Sequence, residues 1–164
     1  MIDIETTTRR RWTTRRSLAA AAFGLWFLAA HAAASPVLRV SNAWVRATVP
    51  GQAVAAAYGR FEAALPLRVV GVETPVADAG QIHRMSIDDG IMKMRRLDTL
   101  DLPAGQVVRL EPGGAHLMLM GLKQPLTVGQ RVRLSFTVED AAGRRSVEAV
   151  DAPVLQAPPQ EEKE

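Results

Sequence analysis

The chain has 164 residues, the length of one domain. Its formal net charge is +3, but five arginines and only two acids lie in residues 1–34, which leaves 15 basic and 15 acidic side chains in residues 35–164. That balance disfavours nucleic-acid binding, and a sequence without cysteine excludes disulfides, thiol catalysis, Cys-ligated zinc and thiolate-ligated blue copper.

The first 34 residues predict an export signal. Arginine-rich residues 9–16 precede an apolar run, 18–30, and small residues follow as far as Ala34. This order is typical of a secretory signal peptide, and the run is shorter than the roughly 20 residues of a membrane helix. We expect cleavage after Ala34 and export to the periplasm, by the general secretory route or, given Arg15-Arg16, by the twin-arginine route. An uncleaved leader, acting as a membrane anchor, is the alternative.

Short strand patterns separated by glycine and proline turns follow the leader. The predicted strands are 37–49, 53–64, 67–74, 81–87, 91–97, 106–110, 115–119, 130–139 and 145–150. The alanine-rich segment 53–64 also fits a helix, but Gly59 and the pattern after it favour a strand. This spacing predicts an all-β sandwich or barrel over residues 35–152, with Trp44 and Tyr58 in its core. We expect the polar tail, 153–164, to be disordered.

Residues 81–120 concentrate the side chains that bind soft metals. They hold both histidines outside the leader, and every methionine except the first: His83, Met85, Met92, Met94, His116, Met118 and Met120. Residues two apart share a strand face, so each histidine has a methionine beside it. Imidazole and thioether without thiolate favour Cu(I). Because methionine is more often a core filler, a packing role stays open for Met85, Met92 and Met120, beside a role in guiding copper.

The Asp-Gly of Asp88-Asp89-Gly90 predicts a tight hairpin turn between strands 81–87 and 91–97, which brings Met94 near His83. This hairpin and its surroundings resemble the periplasmic copper chaperones of the PCu(A)C family. The matching segments are GIMKMR from Gly90, PAG from Pro103, PGGAHLMLMGLKQP from Pro112 and SNAWVRATVPGQAVAAAYGRFEA from Ser41, within about residues 38–152. The family's ligand pattern is a histidine, ten residues, a methionine, twenty-one residues and then His-x-Met. It falls on His83, Met94, His116 and Met118. One departure is Gln81, where similar proteins often have glutamate.

The resemblance implies a cupredoxin-like Greek-key β-barrel that binds one Cu(I) through those four residues and has no catalytic residues. It also implies a periplasmic carrier that passes copper to the copper-site subunit of cytochrome c oxidase or to another copper chaperone. No nucleic-acid partner is expected, and membrane contact is expected only through an uncleaved leader. The alternatives are a periplasmic copper redox enzyme, a copper-storage or resistance protein, and a structural sandwich whose His and Met only pack. Redox turnover needs a site that accepts Cu(II), which two thioethers disfavour.

Overall fold

The computed structural model describes residues 38–159, and all their regular structure is β. Residues 1–37 and 160–164 lie outside the described residues, so the signal peptide and the disorder of residues 160–164 stay predictions. The ten strands are β1 (Leu38–Arg46), β2 (Val54–Ala63), β3 (Leu67–Glu73), β4 (Ala77–Asp88), β5 (Ile91–Leu97), β6 (Leu100–Leu102), β7 (Val107–Leu110), β8 (Ala115–Leu122), β9 (Arg131–Asp140) and β10 (Arg145–Leu155). Within this part of the chain, no helix has the length and apolarity to cross a membrane.

Seven of these strands close into a barrel. Its order is β4-β8-β2-β1-β10-β9-β3, and β3 returns to β4 through the pair Val72 and Gly80. Closure requires glycine at position 80, because a Cβ there would lie 2.6 Å from the carbonyl oxygen of Val72. Strand β5 extends the sheet beyond β4 as an edge, β6 extends it beyond β3, and β7 pairs with β2. The predicted cupredoxin-like all-β fold is confirmed in its barrel form.

Alternate residues of each strand fill the barrel interior. The rings of Phe61 and Phe136 meet edge to face at its centre, with centroids 5.1 Å apart. Ala55 and Ala57 are buried opposite Leu119 and Leu117 of β8, so the alanine-rich segment is a strand as predicted. Small side chains on β2 let the larger leucines of β8 fill the space, and burying each leucine contributes about 1.5–3 kcal/mol.

Several strands differ from the prediction, in addition to shifts at the ends of β1 and β8. Strand β6 has only three residues, too few to show a periodic pattern, and it was not predicted. Strand β4 begins at Ala77, four residues earlier than expected. Strand β10 continues to Leu155, so the expectation of a disordered tail is wrong for residues 153–155. Val154 is fully buried and lies beside Val45 in the parallel pairing of β1 with β10, which keeps the chain in the sheet past Pro153.

Candidate metal centre

The four predicted ligands lie on one face of three adjacent strands. His83 on β4 stands directly opposite His116 on β8, and Gln81 stands opposite Met118. On the other side of β4, Met94 of β5 stands opposite Met85 and therefore lies diagonally from His83. Directly opposed residues point to the same face of a sheet, and residues two apart along a strand do so as well. The pairing therefore places all four side chains on the outer face of the barrel.

This convergence depends on a two-residue turn between β4 and β5. Asp89 and Gly90 form it, with φ of 51° and 77°. Positive φ at both positions is the signature of the type I′ turn, which Asp-Gly favours because its twist matches that of the strands. The turn sets the register that brings Met94 beside the His83 face, as the sequence predicts.

The two imidazoles are close enough to bind one ion. Their ring centroids lie 6.0 Å apart, with the planes inclined by 38°. Metal–nitrogen bonds are about 2 Å long, so one ion between the rings reaches a nitrogen of each. His116 is buried, with 4% of its surface exposed, whereas His83 is half-buried.

Hydrogen bonds leave one nitrogen of each ring free to bind. His116 donates from Nδ1 to the carbonyl oxygen of Gly114 at 3.1 Å, so its Nε2 keeps a lone pair. His83 donates from Nε2 to Oε1 of Gln81 at 3.0 Å, so its Nδ1 keeps a lone pair. That Nδ1 is buried and has no hydrogen-bond partner. An orphaned buried acceptor is costly in an apoprotein, and a metal ion would satisfy it.

The surroundings of His83 favour its neutral form. Burial lowers the pKa of His83 below its ordinary value, and the nearby His116 and Arg96 lower it further. The neutral imidazole is the form that binds metal, so at neutral pH a metal ion rarely has to displace a proton from His83. The lowered pKa therefore suits a metal ligand.

The two methionines have different surroundings. Met118 is half-buried between Gln81 of β4 and Ala56 of β2, in a shallow pocket walled by residues 52–56. Met94 lies on the edge strand and is 50% exposed. One thioether is thus held inside the sheet, and the other faces solvent beside the site.

Two aromatic rings lie beside the metal centre: Tyr58 is next to the imidazole of His116, and Trp44 packs against Tyr58. Trp44 and Tyr58 pack with centroids 4.6 Å apart, and Tyr58 lies 6.5 Å from His116. Burial raises the pKa of the Tyr58 hydroxyl above its usual value, against a smaller opposing effect of Arg46. Trp44 and Tyr58 are buried as predicted, but on the face of the site, where Tyr58 is the neighbour of His116. That Tyr58 lies beside His116 follows from the pairing of β2 with β8 and could not be predicted from the sequence.

Gln81 is the functional residue that sequence reasoning undervalued. Its position two residues before His83 is a signal for a shared strand face, and its amide oxygen accepts the His83 N–H in place of a carboxylate. Acidic side chains do not enlarge the site: residues 38–159 contain no cluster of three or more His, Asp or Glu side chains that could hold a metal. A metal bound here relies on methionine sulfur.

The family model described as LpqE-like matches residues 38–154. The chain belongs to the LpqE-like family. The chain is also 34% identical over 108 residues to the "Putative lipoprotein Lxx21020" of Leifsonia xyli subsp. xyli. The match covers 64% of this chain and 64% of that relative's length.

Solved structures similar to this LpqE-like chain include PCuAC domains. The copper-bound PCuAC domain from PmoF2 is 26% identical with a TM-score of 0.57, over 72% of this chain and 92% of that domain. The Cu(I) form of DR1885 from Deinococcus radiodurans is 33% identical with a TM-score of 0.50, over 73% of this chain and 80% of that protein. The resemblance to the PCu(A)C family is confirmed.

Proposed function

We propose that this LpqE-like chain is a Cu(I) metallochaperone that binds one ion through His83, Met94, His116 and Met118. The observation that carries the proposal is the pair of facing imidazoles, each with one nitrogen engaged by a carbonyl oxygen and the other free. Copper-bound and Cu(I)-bound relatives with the same fold support it.

The donor set suits a monovalent soft ion. Two neutral imidazoles and two thioethers add no charge, and thioether sulfur selects Cu(I) over harder divalent ions. Because the site contains no thiolate, it cannot be lost to disulfide formation in an oxidising compartment. The methionines remain open to oxidation, and a sulfoxide would no longer bind as a soft donor.

The exposure of the site favours carriage over catalysis. Met94 lies on an edge strand at the protein surface, where the copper site of another protein can approach and take the ion by exchange of ligands. No electron has to move in such an exchange, and no substrate pocket is required. We propose that the chain acts without enzymatic activity in the periplasm, after export by the predicted leader, and that it supplies copper to the copper site of cytochrome c oxidase.

The binding test is an anaerobic Cu(I) titration against the chromogenic chelator bicinchoninate. The chain should hold one equivalent, and His83→Ala and Met118→Leu should lose most of the affinity. Met120→Leu is the matched control, because Met120 lies on the same face of β8 but outside the ligand set. Equal affinity in all four proteins would remove the proposed site.

Delivery is tested by mixing the Cu(I)-loaded chain with a purified oxidase copper-site domain. Copper should appear in that domain, and the chain should return to its copper-free form. Retention of the ion by the chain, with the acceptor domain empty, would instead support copper storage. Consumption of oxygen with steady oxidation of a substrate would support an enzyme.

A further inference from the structure

The outer half of the β4–β5 hairpin carries two thioethers, those of Met85 and Met92, next to the proposed ligand Met94. Met85 stands opposite Met94, and Ile87 stands opposite Met92. Met85 and Ile87 lie two and four residues after His83 and therefore share its face of β4. Met94 and Met92, which stand opposite them on β5, point to the same face. Three sulfurs thus lie next to one another on two paired strands.

Packing does not account for this cluster. Met92 is 63% exposed, Met94 50% and Ile87 75%, and Met85 is half-buried but does not belong to the core of the barrel. The opposite face of the same hairpin carries the cations Arg84, Lys93 and Arg95, as expected of an exposed edge that must avoid pairing with other chains. Arg96 lies opposite His83 on the sulfur-bearing face, but between Arg96 and the turn that face carries only Met85, Met92, Met94 and Ile87.

The spacing lets these sulfurs share an ion. Directly opposed residues have Cβ atoms about 4.5–5.5 Å apart, and diagonal neighbours lie about 7–8 Å apart, within reach of long side chains. Methionine has three rotatable bonds and adapts its sulfur position easily. Met85 and Met94 satisfy the first relation, and Met92 and Met85 satisfy the second.

Exposure falls from Met92 through Met94 to the histidine pair. Met92 is the most exposed of the sulfur residues, Met94 is half exposed, His83 is half-buried and His116 is buried. Met94 belongs to both groups, so an ion can pass from one to the other without losing all of its ligands. A thioether-only group without imidazole should bind more weakly than the four-ligand site.

We propose that Met85, Met92 and Met94 form a second, weaker Cu(I) site, through which copper enters and leaves the four-ligand site. This inference rests on the proposed function. In the transfer, Met94 stays bound while the sulfurs of Met85 and Met92 leave and His83, His116 and Met118 bind. Copper remains Cu(I) throughout, and neither an electron nor a co-reactant is needed.

The first test follows the methionine methyl groups by NMR. The chain is labelled with ¹³C at those methyl groups and titrated anaerobically with Cu(I) supplied as its acetonitrile complex. In the unmodified chain the first equivalent should shift Met94 and Met118. In His83→Ala, where the four-ligand site is broken and Met94 is available to the second site, Cu(I) should shift Met85, Met92 and Met94 together. If Met85 and Met92 stay in place in that variant, the second site does not exist. If Met94 and Met118 stay in place at one equivalent, it is the proposed function that fails.

The second test measures the rate of loading from the Cu(I)–bicinchoninate complex. The double variant Met85→Leu/Met92→Leu keeps the volume and apolarity of both side chains but removes their sulfur. Its affinity for the first equivalent should equal that of the unmodified chain, and its loading should be about tenfold slower. Met120→Leu, the matched control, should load at the unmodified rate. A double variant that loads as fast as Met120→Leu overturns the proposal.

Discussion

Strands β8 and β5 both carry proposed copper ligands, but they hold them differently. Strand β8 is paired on both sides, with β4 and β2, and its His116 is buried. Strand β5 is paired only with β4, and its Met94 is half exposed. Paired central strands open rarely, whereas edge segments with few buried contacts open easily. From this difference we infer that the β8 half of the site is preorganised and binds copper tightly, whereas the β5 half can open and release it.

Breaking the β8 half should have the largest effect. His116→Ala removes a proposed ligand, removes the ring between Tyr58 and His83, and removes one of the two hydrogen bonds that the carbonyl oxygen of Gly114 accepts. We expect Cu(I) binding to be lost and the free energy of unfolding to fall by about 1–3 kcal/mol. Chelator competition and thermal unfolding measure the two effects. His83→Ala should lose binding with a smaller loss of stability; equal stability losses would mean that the two halves do not differ.

The two thioethers offer the most direct comparison of the strands. Met118→Leu removes a sulfur from the preorganised half and should weaken Cu(I) binding by about a hundredfold. Met94→Leu removes one from the exposed edge and should weaken it by about tenfold, with faster release. Both are measured by chelator competition, with release followed after mixing with excess bicinchoninate. A larger effect at Met94 than at Met118 would reverse the assignment of the gripping half.

Gln81 sharpens the comparison from β4, which lies between the two strands. Gln81→Leu removes the acceptor that orients His83, and loss of such a partner typically costs about 10–100-fold in metal affinity. Gln81→Glu should bind Cu(I) at least as tightly as the unmodified chain, because a carboxylate accepts the N–H of His83 more strongly than an amide does. Both variants are compared by chelator competition. Unchanged affinity in Gln81→Leu would show that His83 needs no orientation by this bond.

The smallest expected effect lies away from the site, at Glu139 of β9. A hydrogen bond from Arg145 has the largest effect on the pKa of Glu139 and lowers it. Burial raises this pKa by less, and the charges of Arg145 and Arg68 lower it further. A folded pKa below the unfolded value stabilises the protein above the unfolded pKa, and this is lost as pH falls through the folded pKa. Glu139→Gln should therefore lose less stability than the unmodified chain below about pH 4.3.

Acid unfolding followed by circular dichroism measures this dependence on pH. Copper affinity at neutral pH should be the same in Glu139→Gln and the unmodified chain, because Glu139 shares no contact with the metal centre. An altered copper affinity in this variant would show that the two regions are coupled.

Local patterns were enough to predict the hairpin that holds half of the site. Asp89-Gly90 selects a tight turn, a tight turn sets the β4–β5 register, and the register puts Met94 beside His83. The alternation along β8 likewise placed His116 and Met118 together. Strand β6 and the end of β10 were missed because their residues enter the sheet through distant partners, Leu67 and Val45, rather than through a pattern of their own.

The sequence by itself determined the donor types, their order and the strands that carry them, because these follow from side-chain chemistry and from a period of two residues. Only the tertiary structure decided that β8 lies between β4 and β2, that His116 faces His83, and that Tyr58 lies beside His116. Pairing between strands distant in sequence depends on barrel closure and core packing, which involve the whole chain at once. No local window contains that information.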